Sequence, residues 1–319
     1  MKTDQDISSL DMRDAFFDKV YEIASSDKDV VFLTDDMDAY SLRKFKADMP
    51  EQFINIGVAE QNMINVSAGL AMAGKIVFTY GIAPFVTMRC FEQIKVNLCS
   101  MNLGVAIVGV GAGFSFGFDG PTHHGIHDLS VMRTLPEITI LNPSDALSAS
   151  ASAEIFYETK TPTYIRLDKG TYPSLGEPTN SFFDGFRIVK PLQKVNIVTT
   201  GFMTSKSLEV VQFFESKGVK IGLIDVYRIK PIPYEFADEV LNKSQKVFVI
   251  EENSVNGGLG TEVIEIAAKK NSDTAITKLG VEDKQFISYG SREWFHLSSN
   301  LDVHSLCNSV QKYLNMNRD

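Results

Sequence analysis

At 319 residues, 44% of them apolar and 22% charged, the chain has room for two globular domains and does not have the composition of a disordered protein. Its net charge of −9 argues against the clustered basic surface that a nucleic acid or an anionic membrane demands, so neither is expected as a partner. Cys90, Cys99 and Cys307 form no CxxC pair, residues 1–6 are polar with no apolar signal core, and no window reaches eighteen uninterrupted apolar residues; reduced thiols in a cytoplasmic protein are expected.

Met12, Ala15, Phe16, Val20 and Ile23 recur at helical spacing and predict a helix over 12–23, after which 29–33 reads as a buried strand ending at Thr34-Asp35-Asp36. The alternation continues with strand 53–56, helix 58–73, strand 76–80, helix 85–99, strands 105–110 and 138–141, helix 144–159 and strand 163–167. Strands rich in β-branched residues alternating with helices mean a mostly parallel sheet covered on both faces. Pro, Gly, Ser and Asn crowd the chain after Tyr172 and place a linker at about 170–187. A second, shorter alternation follows, with strand 195–200, helix 204–217, strand 220–226, helix 233–241, strand 246–251, helix 259–269, strand 275–279 and a last helix near 303–314. The expected fold class is α/β, with two domains over 1–180 and 187–319, each a mostly parallel sheet flanked by helices.

Ligands of an open parallel sheet collect outside the carboxyl ends of its strands, and three features fall there. Asp35-Asp36 closes the first strand, Glu60 follows the second, and a glycine-rich loop from Gly109 to His127 follows the strand 105–110. Glu60 is either a first-turn acid complementing the helix dipole or a functional carboxylate. Phe85, Met88 and Phe91 are spaced to share one side of a helix, facing either the core or a ligand. Gly109-x-Gly111-x-Gly113 is not GxGxxG, because Phe114 stands where a third glycine would be, and it reads as a permissive loop. Gly257-Gly258-Leu259-Gly260, ahead of a helix, forms either an anion cradle or a tight turn. His123, His124 and His127 with Asp119 and Asp128 lie in an irregular loop broken by Pro121. Polar recognition or acid/base work suits that loop better than zinc.

Six segments in order resemble the C-terminal section of a transketolase, the pyrimidine-binding domain plus the C-terminal domain of thiamine diphosphate enzymes. They are Gly57-Val58-Ala59-Glu60-Gln61-Asn62-Met63, Gly69-Leu70-Ala71 with Gly74, Phe85 to Gln93, Asp119-Gly120-Pro121-Thr122-His123, Leu135-Pro136 to Asn142-Pro143-Ser144-Asp145, and Glu251-Glu252 with Gly257 to Gly260. The resemblance covers essentially the whole chain and implies a pyrimidine-binding domain over 1–180 and a transketolase C-terminal domain over 187–319. It makes Glu60 the acid that hydrogen-bonds the pyrimidine nitrogen of thiamine diphosphate and drives its imino tautomer. That role wants a partly protonated carboxyl, which desolvation by Ile56, Val58 and Met63 is expected to favour over the opposing helix terminus. Phe85 and Phe91 match the pocket around the pyrimidine ring, with Met88 where a second aromatic is common. Asp36 resembles an acid near the thiazolium side, Asp119 and His123 match residues that bind the donor sugar, and Arg13 and Lys169 match arginines that hold the substrate phosphate.

Two departures stand out. Gly111 replaces a histidine, and Lys169 replaces an arginine with loss of a bidentate fork, which implies an unusual substrate. The family's diphosphate motif, Gly-Asp-Gly followed about thirty residues later by Asn-Asn, is nowhere in the 319 residues. The resemblance therefore implies one subunit of a split transketolase. A separate diphosphate-binding chain would hold Mg2+ or Ca2+ in an α2β2 heterotetramer, and a two-carbon ketol unit would pass from a ketose to an aldehyde. The competing readings are a 1-deoxyxylulose-5-phosphate-synthase-like condensation, the β subunit of a 2-oxo acid dehydrogenase and a non-catalytic partner subunit.

Overall fold

Each apolar run that reads as a strand is followed by a chain segment long enough to cross over and return parallel. A computed structural model describes residues 7, 10–178 and 181–316. The first sheet contains β1 (Val30–Thr34), β2 (Phe53–Asn55), β3 (Ile76–Ile82), β4 (Val105–Val110), β5 (Thr139–Leu141) and β6 (Thr163–Leu167). Their order is β5-β6-β4-β3-β1-β2, all neighbours parallel. Side chains alternate across the sheet. Phe32, Phe78 and Tyr80 pack with Phe16 and Phe17 of α1 (Met12–Ser26) and Phe156 of α7 (Ala146–Thr159), beside α2 (Tyr40–Asp48). Val31, Leu33 and Val77 pack on the opposite face with Met63 and Ile64 of α3 (Glu60–Met72).

The helix expected over 85–99 is broken. It divides into α4 (Ala83–Val86), a turn, α5 (Phe91–Gln93) and a π-helical stretch Ile94–Cys99. The Thr87 hydroxyl donates to the Ala83 carbonyl at 2.5 Å and the Cys90 thiol to the Phe85 carbonyl at 3.2 Å, side-chain bonds that occupy carbonyls of the first turn. The sequence pattern also passed over α2, which buries only Ser41, Leu42 and Phe45, and over α6 (Asp128–Arg133) inside the histidine loop.

The second sheet contains β7 (Phe186–Lys190), β8 (Val195–Thr199), β9 (Gly222–Val226), β11 (Lys246–Ser254) and β12 (Ala275–Val281), with β10 (Arg228–Lys230) lying elsewhere. Its order is β12-β11-β8-β9-β7, with β7 antiparallel at one edge. Helices α8 (Met203–Glu215) and α12 (Val303–Met316) cover one face. The other carries α9 (Tyr234–Phe236), its π-helical continuation Ala237–Leu241 and α10 (Leu259–Lys269). A further helix, α11 (Arg292–Ser298), lies against the first half of the chain. The short β10 leaves this sheet and pairs antiparallel with β5, completing a seven-stranded first sheet. The two halves thus share a sheet edge as well as a polar seam.

Candidate active site

The strand order reverses between β1 and β3, so the crevice outside their carboxyl ends is the topological switch point where such sheets bind ligands. Glu60 stands beside it as the first residue of α3, only 3% exposed. Arg89 donates from Nη1 to Glu60 Oε1 at 2.7 Å, and its guanidinium lies 4.3 Å from the centre of the Phe85 ring. The Phe85 ring meets His123 edge-on at 5.0 Å, and His123 meets Phe116 at 6.3 Å. Lys169 Nζ sits 5.2 Å over the Phe116 ring. Segments far apart in sequence thus form one row, Glu60–Arg89–Phe85–His123–Phe116–Lys169, with the His123 imidazole Nδ1 3.0 Å from the Thr122 hydroxyl.

The α1 terminus joins the Lys169 end of that row. Asp11 caps Arg13 N at 2.9 Å and accepts from Gly170 N at 2.7 Å, while Met12 N donates to Gly170 O at 2.9 Å. Arg13 and Lys169, 156 residues apart in sequence, are therefore anchored side by side. Arg13 Nε and Oδ1 of Asp35 are buried without a hydrogen-bond partner, and the Arg13 guanidinium lies against the Tyr80 hydroxyl. Asp119 is exposed at the end of a 3-10 turn, Gly117–Asp119.

Other sequence candidates fall differently. Asp36 is exposed at φ +72°, tied to Asn55 by bonds of 3.1 Å in both directions, whereas its neighbour Asp35 is buried. Phe91 packs on the core under α3 rather than beside Phe85, because the helix meant to align them is broken. Met88 is 36% exposed. Val58, expected to desolvate Glu60, is 75% exposed, and Met63 is the neighbour that is fully buried. His124 is wedged between Phe114 and Phe295, where burial lowers its pKa; it is a core histidine. Asp128 pairs with the buried Arg166 at 2.8 Å.

Gly257 to Gly260 do cradle an anion, and the anion belongs to the chain. Glu251 accepts from Leu259 N and Gly260 N, both at 2.8 Å, at the start of α10. Burial, only partly offset by those amides, raises Glu251 to about 7. Its neighbour Glu252 fastens the two halves, binding Arg292 and, at 2.6 Å, His296, and accepting from Phe114 N at 3.3 Å. Arg292 also pairs with Asp168, the residue before Lys169, at 2.6 Å and stacks 3.5 Å from the centre of the Phe202 ring.

Sequence reasoning missed three residues that the structure brings to this crevice. Arg89 was the one cation in the run Phe85–Phe91, and that was its only signal. Phe116 fills the space over Gly111, whose φ of +98° and missing Cβ admit the ring. Asp35 was visible only as half of an acidic pair. A buried carboxylate with a cation and an aromatic ring beside it, rimmed by exposed Val58 and Met88, suits a flat heteroaromatic ring carrying a hydrogen-bonding nitrogen. Among the described residues no group of three or more His, Cys, Asp or Glu is placed to hold a metal ion.

A family model for the transketolase pyrimidine binding domain matches residues 8–174, and one for the transketolase C-terminal domain matches residues 185–300. The chain belongs to the transketolase family. Within that family it is 30% identical over 312 residues to an apulose-4-phosphate transketolase subunit of Phocaeicola vulgatus, covering 95% of this chain and 97% of that one. It is 28% identical over 302 residues to the 1-deoxy-D-xylulose-5-phosphate synthase of Clostridium tetani, covering 94% of this chain and 48% of the synthase. A solved structure described as a split gene transketolase, inactive beta4 tetramer, superimposes with a TM-score of 0.86 at 31% identity, over 96% of this chain and 99% of that one. The transketolase fold and the two-part α/β architecture expected from the sequence are therefore present.

Proposed function

We propose that this chain is the pyrimidine-side subunit of a split transketolase, moving a two-carbon ketol unit from a ketose or ketose phosphate to an aldehyde. The observation that carries the reading is the continuous row from Glu60 to Lys169, which sets a buried acid, a ring platform, an imidazole and a cation along one crevice. End-to-end correspondence with a relative that is itself named as a single transketolase subunit favours the split arrangement over the synthase, of which this chain would be about half. In this arrangement 1–180 is the pyrimidine-binding domain and 187–319 the C-terminal domain. A second chain supplies the diphosphate-binding domain with Mg2+ or Ca2+ in an α2β2 assembly in the cytoplasm.

Thiamine diphosphate, when bound, supplies the nucleophilic carbon at which the donor ketose is cleaved. Glu60 holds a proton at the pyrimidine nitrogen, Phe85 and Met88 flank the ring, Phe91 backs them from the core and Asp36 lies at the thiazolium side. His123 and Asp119 bind the donor's oxygens, with His123 moving the proton that a breaking carbon–carbon bond requires. Arg13 and Lys169 take the phosphate, Lys169 as a point charge rather than a fork.

The test is reconstitution with a chain carrying the missing diphosphate domain. Glu60→Gln is expected to reduce ketol transfer by about 10²-fold or more, and wild-type turnover in that variant would overturn the reading. Tight binding of thiamine diphosphate and turnover of ketose by this chain alone would overturn the split arrangement.

A further inference from the structure

Behind the Glu60–Arg89 pair lies an acid that the proposed reaction does not use. Asp35 follows β1 at the switch point, 5% exposed. One of its carboxyl oxygens lies where a Cβ on Gly81 of β3 would stand, and the other, Oδ1, is buried with no hydrogen-bond partner. Arg89, the cation in reach, donates to Glu60 instead. An ionised carboxylate with an oxygen stripped of water and of donors costs several kcal/mol, and such groups neutralise rather than bear it.

We propose that Asp35 is a positioning residue that holds a proton behind the Glu60–Arg89 pair. The role rests on the reading of Glu60 as the pyrimidine partner. Two carboxyls sharing one cation in a buried crevice cannot both ionise cheaply, so the proton settles on the one whose oxygen lacks a donor. The groups facing Asp35 pull both ways, and burial with Glu60 prevails. From α3 comes the negative charge of Glu60, from its own backbone N–H an opposing bond, from the turn after α4 the opposing charge of Arg89, and from the next residue the charge of Asp36. Tyr80 on β3 is kept protonated, burial raising it to about 12. Cys90 at the start of α5 is likewise raised to about 12, by burial first and then by Glu60. Burial and then Glu60 raise Asp35 from 3.8 to about 7. A side chain with that proton offers Glu60 no second charge to repel, so the carboxylate keeps one geometry toward an incoming ring nitrogen.

The test uses the full chain and then the reconstituted complex. Infrared spectra of the wild type should show protonated carboxyl absorption near pH 6 that titrates away toward pH 8, from Asp35 and from the buried Glu251; Asp35→Asn should lose the Asp35 part, which Glu251→Gln should keep. Because the folded pKa is raised, the stabilisation it represents is complete below 3.8 and is lost as pH rises through about 7. The melting temperature of Asp35→Asn should therefore gain on the wild type steadily between those values and run level above them. In the complex, Asp35→Asn should flatten the change in thiamine diphosphate affinity across that pH range. If Asp35→Asn does not fold, Asp35→Ser serves for the infrared assignment. Carboxyl absorption in Asp35→Asn undiminished from that of the wild type, or a pH-independent difference in melting temperature, would overturn the proposal. A Glu60→Gln complex as active as the wild type would overturn the functional reading instead, while the infrared and melting measurements would still decide where the proton sits.

Discussion

At the scale of single residues, the site depends on contacts between side chains whose separation in sequence hides them. Glu60, Phe85, His123 and Lys169 were readable one by one because each sits in a short motif next to a strand end. Arg89 was not, since an ion pair across 29 positions leaves no local periodicity. Phe116 was missed for a related reason: its value lies in the space that Gly111 leaves open. A methyl group on Gly111 meets that ring, so Gly111→Ala should cost about 1–3 kcal/mol by overpacking. In a Phe116→Ala background it should cost only the backbone strain of its positive φ, about 1 kcal/mol. Urea unfolding of the four variants of this cycle checks the coupling, and additive costs would show that the ring is not the obstacle.

At the scale of elements, glycine and threonine decide where helices start and stop. The run Gly257 to Gly260 lets α10 begin directly over the Glu251 carboxylate, and a Cβ at Gly258 would collide with that carboxylate and crowd Asn253. Gly258→Ala should therefore lower stability by about 1–3 kcal/mol, measured as a shift in denaturant midpoint at unchanged slope. The expected helix over 85–99 shows the opposite case. Its apolar spacing is helical, but Thr87 and Cys90 bind carbonyls of the first turn, and the resulting break turns Arg89 toward Glu60 while sending Phe91 to the core. Hydrophobic periodicity reports which face is buried and does not report such local competition for carbonyls.

At the scale of the whole molecule, the halves are joined by a buried charge network and by β10 at the edge of the first sheet. Burial alone would push Glu252 up, but the Arg292 guanidinium and His296 outweigh it and hold its carboxyl well below the usual 4.5. A depressed carboxylate stabilises the fold above its unfolded value and loses that contribution as pH falls through the folded one. Acid unfolding below about pH 5 should accordingly be steeper for the wild type than for Glu252→Gln. Arg292→Met, which strands Glu252 and Asp168 without their cation, should cost about 3–5 kcal/mol at neutral pH in urea unfolding. Most of the architecture was legible, because strand and helix periods survive in any context that buries one face. The edge strands β7 and β10 were not legible, for three to five residues carry too little pattern and their pairing is chosen by distant partners. What the sequence determined by itself was the alternating α/β order, the family and the residues that sit in motifs, since these depend on local spacing. Only the tertiary structure decided that Arg89 binds Glu60, that the start of α1 carrying Arg13 is tied to Gly170 beside Lys169, and that Asp35 rather than Asp36 is buried. Those outcomes depend on desolvation and charge, which arise when segments far apart in sequence meet outside the carboxyl ends of one sheet's strands.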